Sequence, residues 1–261
     1  MTVTPATRVA MVRPPKAIVV RGVVALRAAP DDASELVDEA QHGEVVTRFG
    51  DQGEWTYVQG RDLYFGWIRT AQLGGMGDGT EPWVVGVPLA DVRAAADPAS
   101  GVVDQLPAGA ALLVYEREGE WWHVRRDEYV RVEDTVETVV LPHRYPTADD
   151  LLATAESFLG VPYRWGGTSA RGIDCSGLTQ QVYRLNGVGL DRDADQQALG
   201  GRPVDVARPG DLFFFGAERV THTAIATGER TFIHAPESGK TVRRGELGDP
   251  LRLRVIRRYL P

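Results

Sequence analysis

Tyr163-Arg164-Trp165-Gly166-Gly167, followed by Arg171-Gly172-Ile173-Asp174-Cys175-Ser176-Gly177-Leu178, holds the only cysteine of a 261-residue chain. Apolar Leu178, Val182 and Leu185 come next, at spacings that fit one face of a helix. The sequence therefore predicts a helix with Cys175 at or near its N-terminus. The unpaired N–H groups and the positive dipole end at such a place favour an anion. A thiol there is expected to lose its proton more easily, and the thiolate is the nucleophile. A lone cysteine is also a common small buried hydrophobe. The polar neighbours Asp174 and Ser176 argue against a greasy site here.

A nucleophile of this kind needs a base. The chain has five histidines, His42, His123, His143, His222 and His234, and only the last two follow Cys175. They lie on two strand-like runs, 221–227 and 231–235, and Gly228-Glu229-Arg230 reads as the turn of a hairpin. A hairpin centred on Gly228 sets the two imidazoles nearly opposite each other, within a residue of register. One imidazole can then take the thiol proton while the second fixes its tautomer and orientation.

These residues carry a family resemblance. The stretch Tyr163 to Leu178 resembles the nucleophile motif of the NlpC/P60 cysteine peptidases, which act on bacterial cell-wall peptides. Arg208-Pro209-Gly210-Asp211-Leu212-Phe213-Phe214-Phe215 resembles that family's Pro-Gly-Asp-Leu turn into a strand. Val220-Thr221-His222 and Phe232-Ile233-His234-Ala235-Pro236 are similar to its two histidine strands. Thr223 departs from the pattern, since an aliphatic residue is usual after the base. The resemblance implies an α+β, papain-like domain over residues 146–261, with Cys175, His222 and His234 as the catalytic set. It also implies that the Tyr163 hydroxyl lies beside the nucleophile and shares the oxyanion with the backbone N–H of Cys175. Neither a cofactor nor a metal is expected.

Upstream, residues 17 to 141 hold an internal repeat at one constant offset. Leu26-Arg27-Ala28-Ala29 matches Val92-Arg93-Ala94-Ala95, Ser34 matches Ser100, and Val37-Asp38 matches Val103-Asp104. Gly53-Glu54-Trp55 matches Gly119-Glu120-Trp121. Short β-rich segments with turn signals between them predict two small all-β barrels, over 1–76 (with an N-terminal extension) and 80–141. Gly74 to Gly79 reads as the linker and Leu141 to Pro146 as the second boundary. The pair resembles the bacterial SH3-like domains that precede this type of peptidase. The two copies differ at Glu44, where the second has Ala110, and along Leu63 to Ile68, where the second is shorter.

That difference matters through the resemblance. In one branch of the family the first barrel closes one end of the cleft, and a glutamate and a tyrosine from it cap the substrate's free N-terminus. Glu44 and Tyr64 are the matches, with Tyr57 a competitor for the tyrosine. In the same branch an aspartate of a downstream loop, the residue before the cysteine and the serine after it contact the amine. Asp193, Asp174 and Ser176 match, and Asp191 and Asp195 stay open as alternatives. Chemically, an ammonium enclosed in a cleft needs a carboxylate and hydrogen bonds.

Thr147 and Gly160 predict the caps of an opening helix whose stripe is Leu151, Leu152, Ala155, Phe158 and Leu159. The arginines from Arg243 to Arg258 read as a solvated face. A net charge of −7 argues against nucleic acid and anionic membranes as partners. No secretion signal is visible between Met1 and Val20, and one free thiol suits a reducing compartment, so a cytoplasmic enzyme is expected. A monomer is the default expectation. The resemblance implies hydrolysis of the bond between γ-D-Glu and an L-diamino acid in murein peptides with a free N-terminal L-Ala, in peptidoglycan recycling. The diamino acid stays open between diaminopimelate, lysine and ornithine. The alternatives are an exported hydrolase that binds intact peptidoglycan through its barrels, and a binding module with an inert peptidase domain.

Overall fold

The structure is a computed structural model that describes residues 14–75, 83–112, 114–125, 127–137, 145–248 and 251–261. The expected N-terminal extension up to residue 13, the linker from Met76 to Gly79 and the boundary residues 141–144 lie outside the described residues.

The first unit consists of Lys16–Val19 (β1), Val23–Arg27 (β2), Leu36–Gln41 (β3), Val45–Gln52 (β4), Trp55–Gln59 (β5), Phe65–Arg69 (β6) and Leu73–Gly74 (β7). They form one curled sheet in the order β3-β2-β6-β5-β4-β1-β7. Period-two alternation explains it: along β2, Val24 and Leu26 are buried and their neighbours are not. Those side chains meet Ala17, Val19, Val46, Val58 and Ile68 in a small core.

The second unit repeats the plan with Trp83–Val85 (β8), Leu89–Arg93 (β9), Val102–Pro107 (β10), Ala111–Leu112 (β11), Glu116–Glu118 (β12), Trp121–Arg125 (β13), Glu128–Arg131 (β14) and Thr135–Glu137 (β15). Here the strands divide into a five-stranded and a three-stranded sheet. The sequence repeat is a repeat of bonds. Arg27 donates to the Ser34 carbonyl (2.8 Å) as Arg93 does to Ser100 (2.5 Å). The Ser34 hydroxyl donates to Ala29 and Asp31 carbonyls, and Ser100 repeats this with Ala95 and Asp97. Gly53 and Gly119 share a φ of 59°, a left-handed turn that suits glycine before each Glu-Trp.

The third unit is the α+β domain. It opens with Ala148–Ser157 (α1), capped by a reciprocal Thr147–Asp150 box. The helix ends before Leu159, so that residue is not part of the buried stripe and stays exposed. A short hairpin of Thr168–Ser169 (β16) and Gly172–Ile173 (β17) leads into Cys175–Leu185 (α2), and Ala194–Gln197 (α3) follows. Arg202–Val204 (β18), Leu212–Phe215 (β19), His222–Ala226 (β20), Thr231–His234 (β21), Arg243–Glu246 (β22) and Leu253–Arg258 (β23) form an antiparallel sheet in the order β18-β23-β19-β20-β21-β22. The helices pack one face through Leu151, Leu178, Val182, Phe214 and Ile225. Phe213, Phe215, Ala224 and Phe232 fill the other. Arg258 of the basic tail is no solvated residue. It grips the buried Asp211 carboxylate with two bonds of 2.7 Å, because Asp211 would otherwise be an unpaired charge beneath the β19 turn.

Strand β3 ties the first barrel to this domain. Leu36, Asp38, Glu39, Ala40 and Gln41 are all buried, charges included. Glu39 accepts from the Thr168 N–H (2.9 Å), the Ser169 hydroxyl (3.0 Å) and Arg164 (3.0 Å). Gly166 sits against the Leu36 carbonyl at φ 73°, and a Cβ there would lie 2.2 Å from that oxygen. The second barrel also makes contact: Arg184 of α2 donates to the Ala108 carbonyl (2.9 Å) and to Gln41 (3.2 Å), so one side chain touches both barrels.

Gly166→Ala combines a left-handed backbone with that clash. It is expected to destabilise the protein by about 2 kcal/mol or more. Denaturant unfolding would show this as a lowered midpoint, with the loss falling on the docking of the first barrel onto the α+β domain.

Candidate active site

Asp174 caps α2. Its carboxylate accepts from the Gly177 N–H (2.7 Å) and, on the other oxygen, from the Gly166 N–H (2.9 Å). Cys175 is thereby held at the first turn of the helix, as its spacing to Leu178 and Val182 predicts, and its side chain is buried. The backbone N–H groups of Ser176 and of Thr223 on β20 favour the thiolate form of its sulfur. The sulfur therefore faces the strand that carries His222.

The thiol itself is not activated as the helix N-terminus suggests. Burial, followed by the charge of Asp174, pushes Cys175 up to about 12. The helix end contributes favourable N–H groups, but a desolvated sulfur beside a carboxylate overrides them. Near pH 7 Cys175 is therefore held as a neutral thiol.

The two candidate histidines meet each other on the hairpin of β20 and β21. Ile225 pairs with Ile233 and Ala226 with Phe232, which centres the hairpin on Glu229 rather than Gly228. The register is set by the Thr227 N–H bond to the Thr231 carbonyl (2.8 Å). His222 and His234 are therefore diagonal rather than opposite, and they still meet: His222 Nε2 lies 2.9 Å from His234 Nδ1. This leaves Nδ1 of His222 for the thiol proton and assigns the Nε2 proton to the bond with His234. Burial lowers His222 to about 4 and His234 to about 3. Both rings are neutral near pH 7, so His222 is an unprotonated acceptor.

A cavity of about 390 Å³ opens over the sulfur. Tyr163, Asp174, Cys175, Ser176 and Asp193 line it from the α+β domain, and Glu35, Val37 and Tyr64 from the first barrel. Burial and then the neighbouring Cys175 raise the pKa of Tyr163, so its hydroxyl is a donor at all working pH values. Tyr64 reaches across the domain boundary and donates to Asp193 (3.2 Å). Leu63, just before it, has a φ of 71°, a strained backbone that aims Tyr64 out of the β5–β6 turn. Tyr57, the competing tyrosine, packs between Phe65 and Trp67 instead.

Glu44 is not among the residues that line this cavity. Its carboxylate folds back onto its own turn, accepting from the N–H groups of Gln41 (3.3 Å) and Arg61 (3.2 Å) and pairing with the Arg61 guanidinium. Asp191 does not line the cavity either, whereas Asp195 does.

Three participants escape a reading of the sequence. Glu35 accepts from the Trp165 indole (2.8 Å) on the rim. Arg219 lines the cavity a turn ahead of His222. Arg192 is 2% exposed and lies between domains. It donates to both oxygens of Asp174 (3.1 and 2.8 Å), to the Ser176 hydroxyl (3.0 Å) and to Asp38 of β3 (2.9 Å). The one available signal was its place between Asp191 and Asp193: an arginine in an acidic loop next to a buried site has a carboxylate to meet.

Comparison with known proteins agrees with this layout. Residues 160–254 match the NlpC/P60 family, and residues 26–73 match the bacterial dipeptidyl-peptidase Sh3 domain. A Bacillus subtilis protein named gamma-D-glutamyl-L-lysine dipeptidyl-peptidase is 36% identical over 122 residues, which cover 44% of this chain and 40% of that protein. A Bacillus cereus protein of the same name is 29% identical over 263 residues, covering 88% of this chain and 77% of the relative. The crystal structure of an NlpC/P60 family protein from Bacillus cereus superimposes with a TM-score of 0.81 at 25% identity, over 95% of this chain and all of that one.

The low His222 value has a visible consequence. Hydrolysis of any accepted peptide should keep its kcat/KM as pH falls through 6.5, and lose it only near pH 4, where His222 takes a proton. Stability runs with it. The unfolded histidines bind protons below about 6.5 and the buried ones do not. Thermal midpoints should therefore hold above pH 6.5 and decline between there and pH 4. His222→Ala and His234→Ala should flatten that decline, and Cys175→Ala should abolish turnover while leaving it in place.

Proposed function

We propose that this chain, which carries an NlpC/P60 cysteine peptidase domain at residues 160–254 behind a bacterial Sh3 domain, hydrolyses the γ-D-glutamyl bond to an L-diamino acid in murein peptides whose N-terminal L-Ala is free. One observation carries this reading. The half-buried carboxylate of Asp193 takes a hydrogen bond from Tyr64 of the first barrel and borders the same cavity as Cys175. Burial raises the pKa of Asp193, which is the mark of a desolvated carboxylate that a cation would stabilise. The barrel stands at one end of the cleft, so room is limited on the N-terminal side of the scissile bond. The two relatives named as dipeptidyl-peptidases fit a site of that length.

In this reading the ammonium of L-Ala sits at Asp193 and Tyr64. Ser176 and Asp174 also border that space, but both are bound by Arg192, so Asp193 is the principal anionic partner. The free α-carboxylate of D-Glu meets Arg219 on the rim. The γ-carbonyl lies over the sulfur. As Cys175 attacks, His222 Nδ1 takes the thiol proton, and His234 stabilises the imidazolium through Nε2–H. The carbonyl oxygen becomes an oxyanion that the Tyr163 hydroxyl and the Cys175 N–H receive. His222 returns the proton to the leaving amine. A water molecule then gives a proton to His222 and attacks the thioester; the tetrahedral adduct expels the sulfur, which takes that proton back from His222, releasing L-Ala-γ-D-Glu and restoring the thiol and the neutral base.

Peptides with a free L-Ala amine arise once the glycan is removed, so the enzyme belongs with peptidoglycan recycling in the cytoplasm. The deciding experiment compares L-Ala-γ-D-Glu-L-diamino acid peptides, with lysine or diaminopimelate third, with their N-acetylated forms. Release of the dipeptide from the free form with at least 100-fold higher kcat/KM is expected. Asp193→Asn should shrink that preference at least tenfold, mainly through KM. Equal cleavage of free and acetylated peptides would refute amine recognition.

A further inference from the structure

Arg192 makes four hydrogen bonds at the site, and the mechanism above gives it no direct part. Its guanidinium is enclosed by two carboxylates from different domains, Asp174 at 6% and Asp38 at 4% exposure. Bidentate geometry fixes the plane of Asp174, and that carboxylate in turn holds the N–H groups of Gly166 and Gly177 on either side of Cys175. The same guanidinium stands beside the charge that most disfavours a thiolate here after burial itself. Titratable groups that face this cluster come from every packed element: Asp38, Glu39, Asp62 and Tyr64 from the barrel, Tyr163, Asp174 at the start of α2, Asp193 and Asp195 at α3, and the neutral His222 on β20.

We propose that Arg192 is a positioning residue for the nucleophile, acting through Asp174, and that Asp38 of the first barrel fixes it in place, which makes the barrel a working part of the catalytic unit. The guanidinium offsets the Asp174 charge as the thiolate develops, and it keeps the cap from rotating away from Gly166 and Gly177. Asp38 supplies the acceptor for Nε–H. Without it a buried guanidinium would lose its one bond to the barrel and settle elsewhere. The proposal takes Cys175 as the nucleophile but does not depend on which peptide is cut.

The test reads the thiol directly. The rate of Cys175 alkylation by iodoacetamide is measured against pH in the full-length protein, with no substrate present. In Arg192→Met, Asp174 is left uncompensated, and the alkylation rate should be roughly tenfold below the parent's at each pH between 7 and 9. Arg192→Met combined with Asp174→Asn should return most of the way, since the anion leaves with the cation. Arg192→Gln serves as the second uncharged variant, and melting curves report whether each protein is folded. Asp38→Ala should lower kcat at least fivefold with KM changed less than twofold, and Asp38→Asn, which retains an acceptor for Nε–H, should recover most of that loss. A parental alkylation profile in both uncharged Arg192 variants, or a parental kcat in Asp38→Ala, would overturn the proposal. Failure to cut the free-amine peptide would count against the substrate assignment alone, because the alkylation profile would still stand.

Discussion

A single buried guanidinium holds the site together. Arg192 is out of water, and an isolated charge there would cost several kcal/mol. Two carboxylates and a hydroxyl meet it, and they come from the nucleophile helix and from a separate barrel. Each partner is itself nearly inaccessible, so none can change place without stranding another. This couples the cap of α2, the loop before α3 and strand β3 into one rigid arrangement. Glu39 with Arg164, Thr168 and Ser169 continues the seam on the same strand. An all-β module that could be a mobile appendage becomes a wall of the cleft.

The electrostatics of the nucleophile show which effect wins when several compete. Helix N-terminus, backbone donors and Arg192 all favour a thiolate, while burial and Asp174 oppose it, and the opposing pair is larger. The same burial keeps both histidines neutral. The two shifts are complementary. A protonated sulfur beside an unprotonated base stores no charge in a dry site, and charge separates only when a carbonyl arrives to receive it. The His222–His234 bond serves this by fixing the tautomer in advance.

The barrels teach a narrower lesson. Comparing the two copies singles out Glu44 because only the first copy has it, yet Glu44 satisfies the N–H groups of its own turn. The residue that meets Arg192 beside the nucleophile helix is Asp38, which the copies share as Asp38 and Asp104. Asp104 also bridges units, accepting from the Gly22 N–H (3.0 Å) and from Arg171 (3.3 Å). A repeated aspartate on the third strand serves docking twice, against different neighbours. Tyr64 lies in the segment that differs between copies, and its reach to Asp193 depends on the strained turn at Leu63.

Local chemistry is written in the sequence because it depends on near neighbours. The helix behind Cys175, the Thr147–Asp150 box, the hairpin of the two histidines and the repeat of the barrels all join residues close in the chain or related by one offset. The end of α1 and the one-residue shift of the histidine hairpin were the limits of that legibility, since fraying and turn closure are settled by single hydrogen bonds. Other features required the tertiary structure. Arg192 and Asp38 are 154 positions apart, and no periodicity links an arginine in an acidic loop to an aspartate on a distant strand. The same holds for Glu39, Glu35 and the turned-away Glu44. A charge finds its partner by elimination of water, and which charges lose water together is decided only when the domains pack.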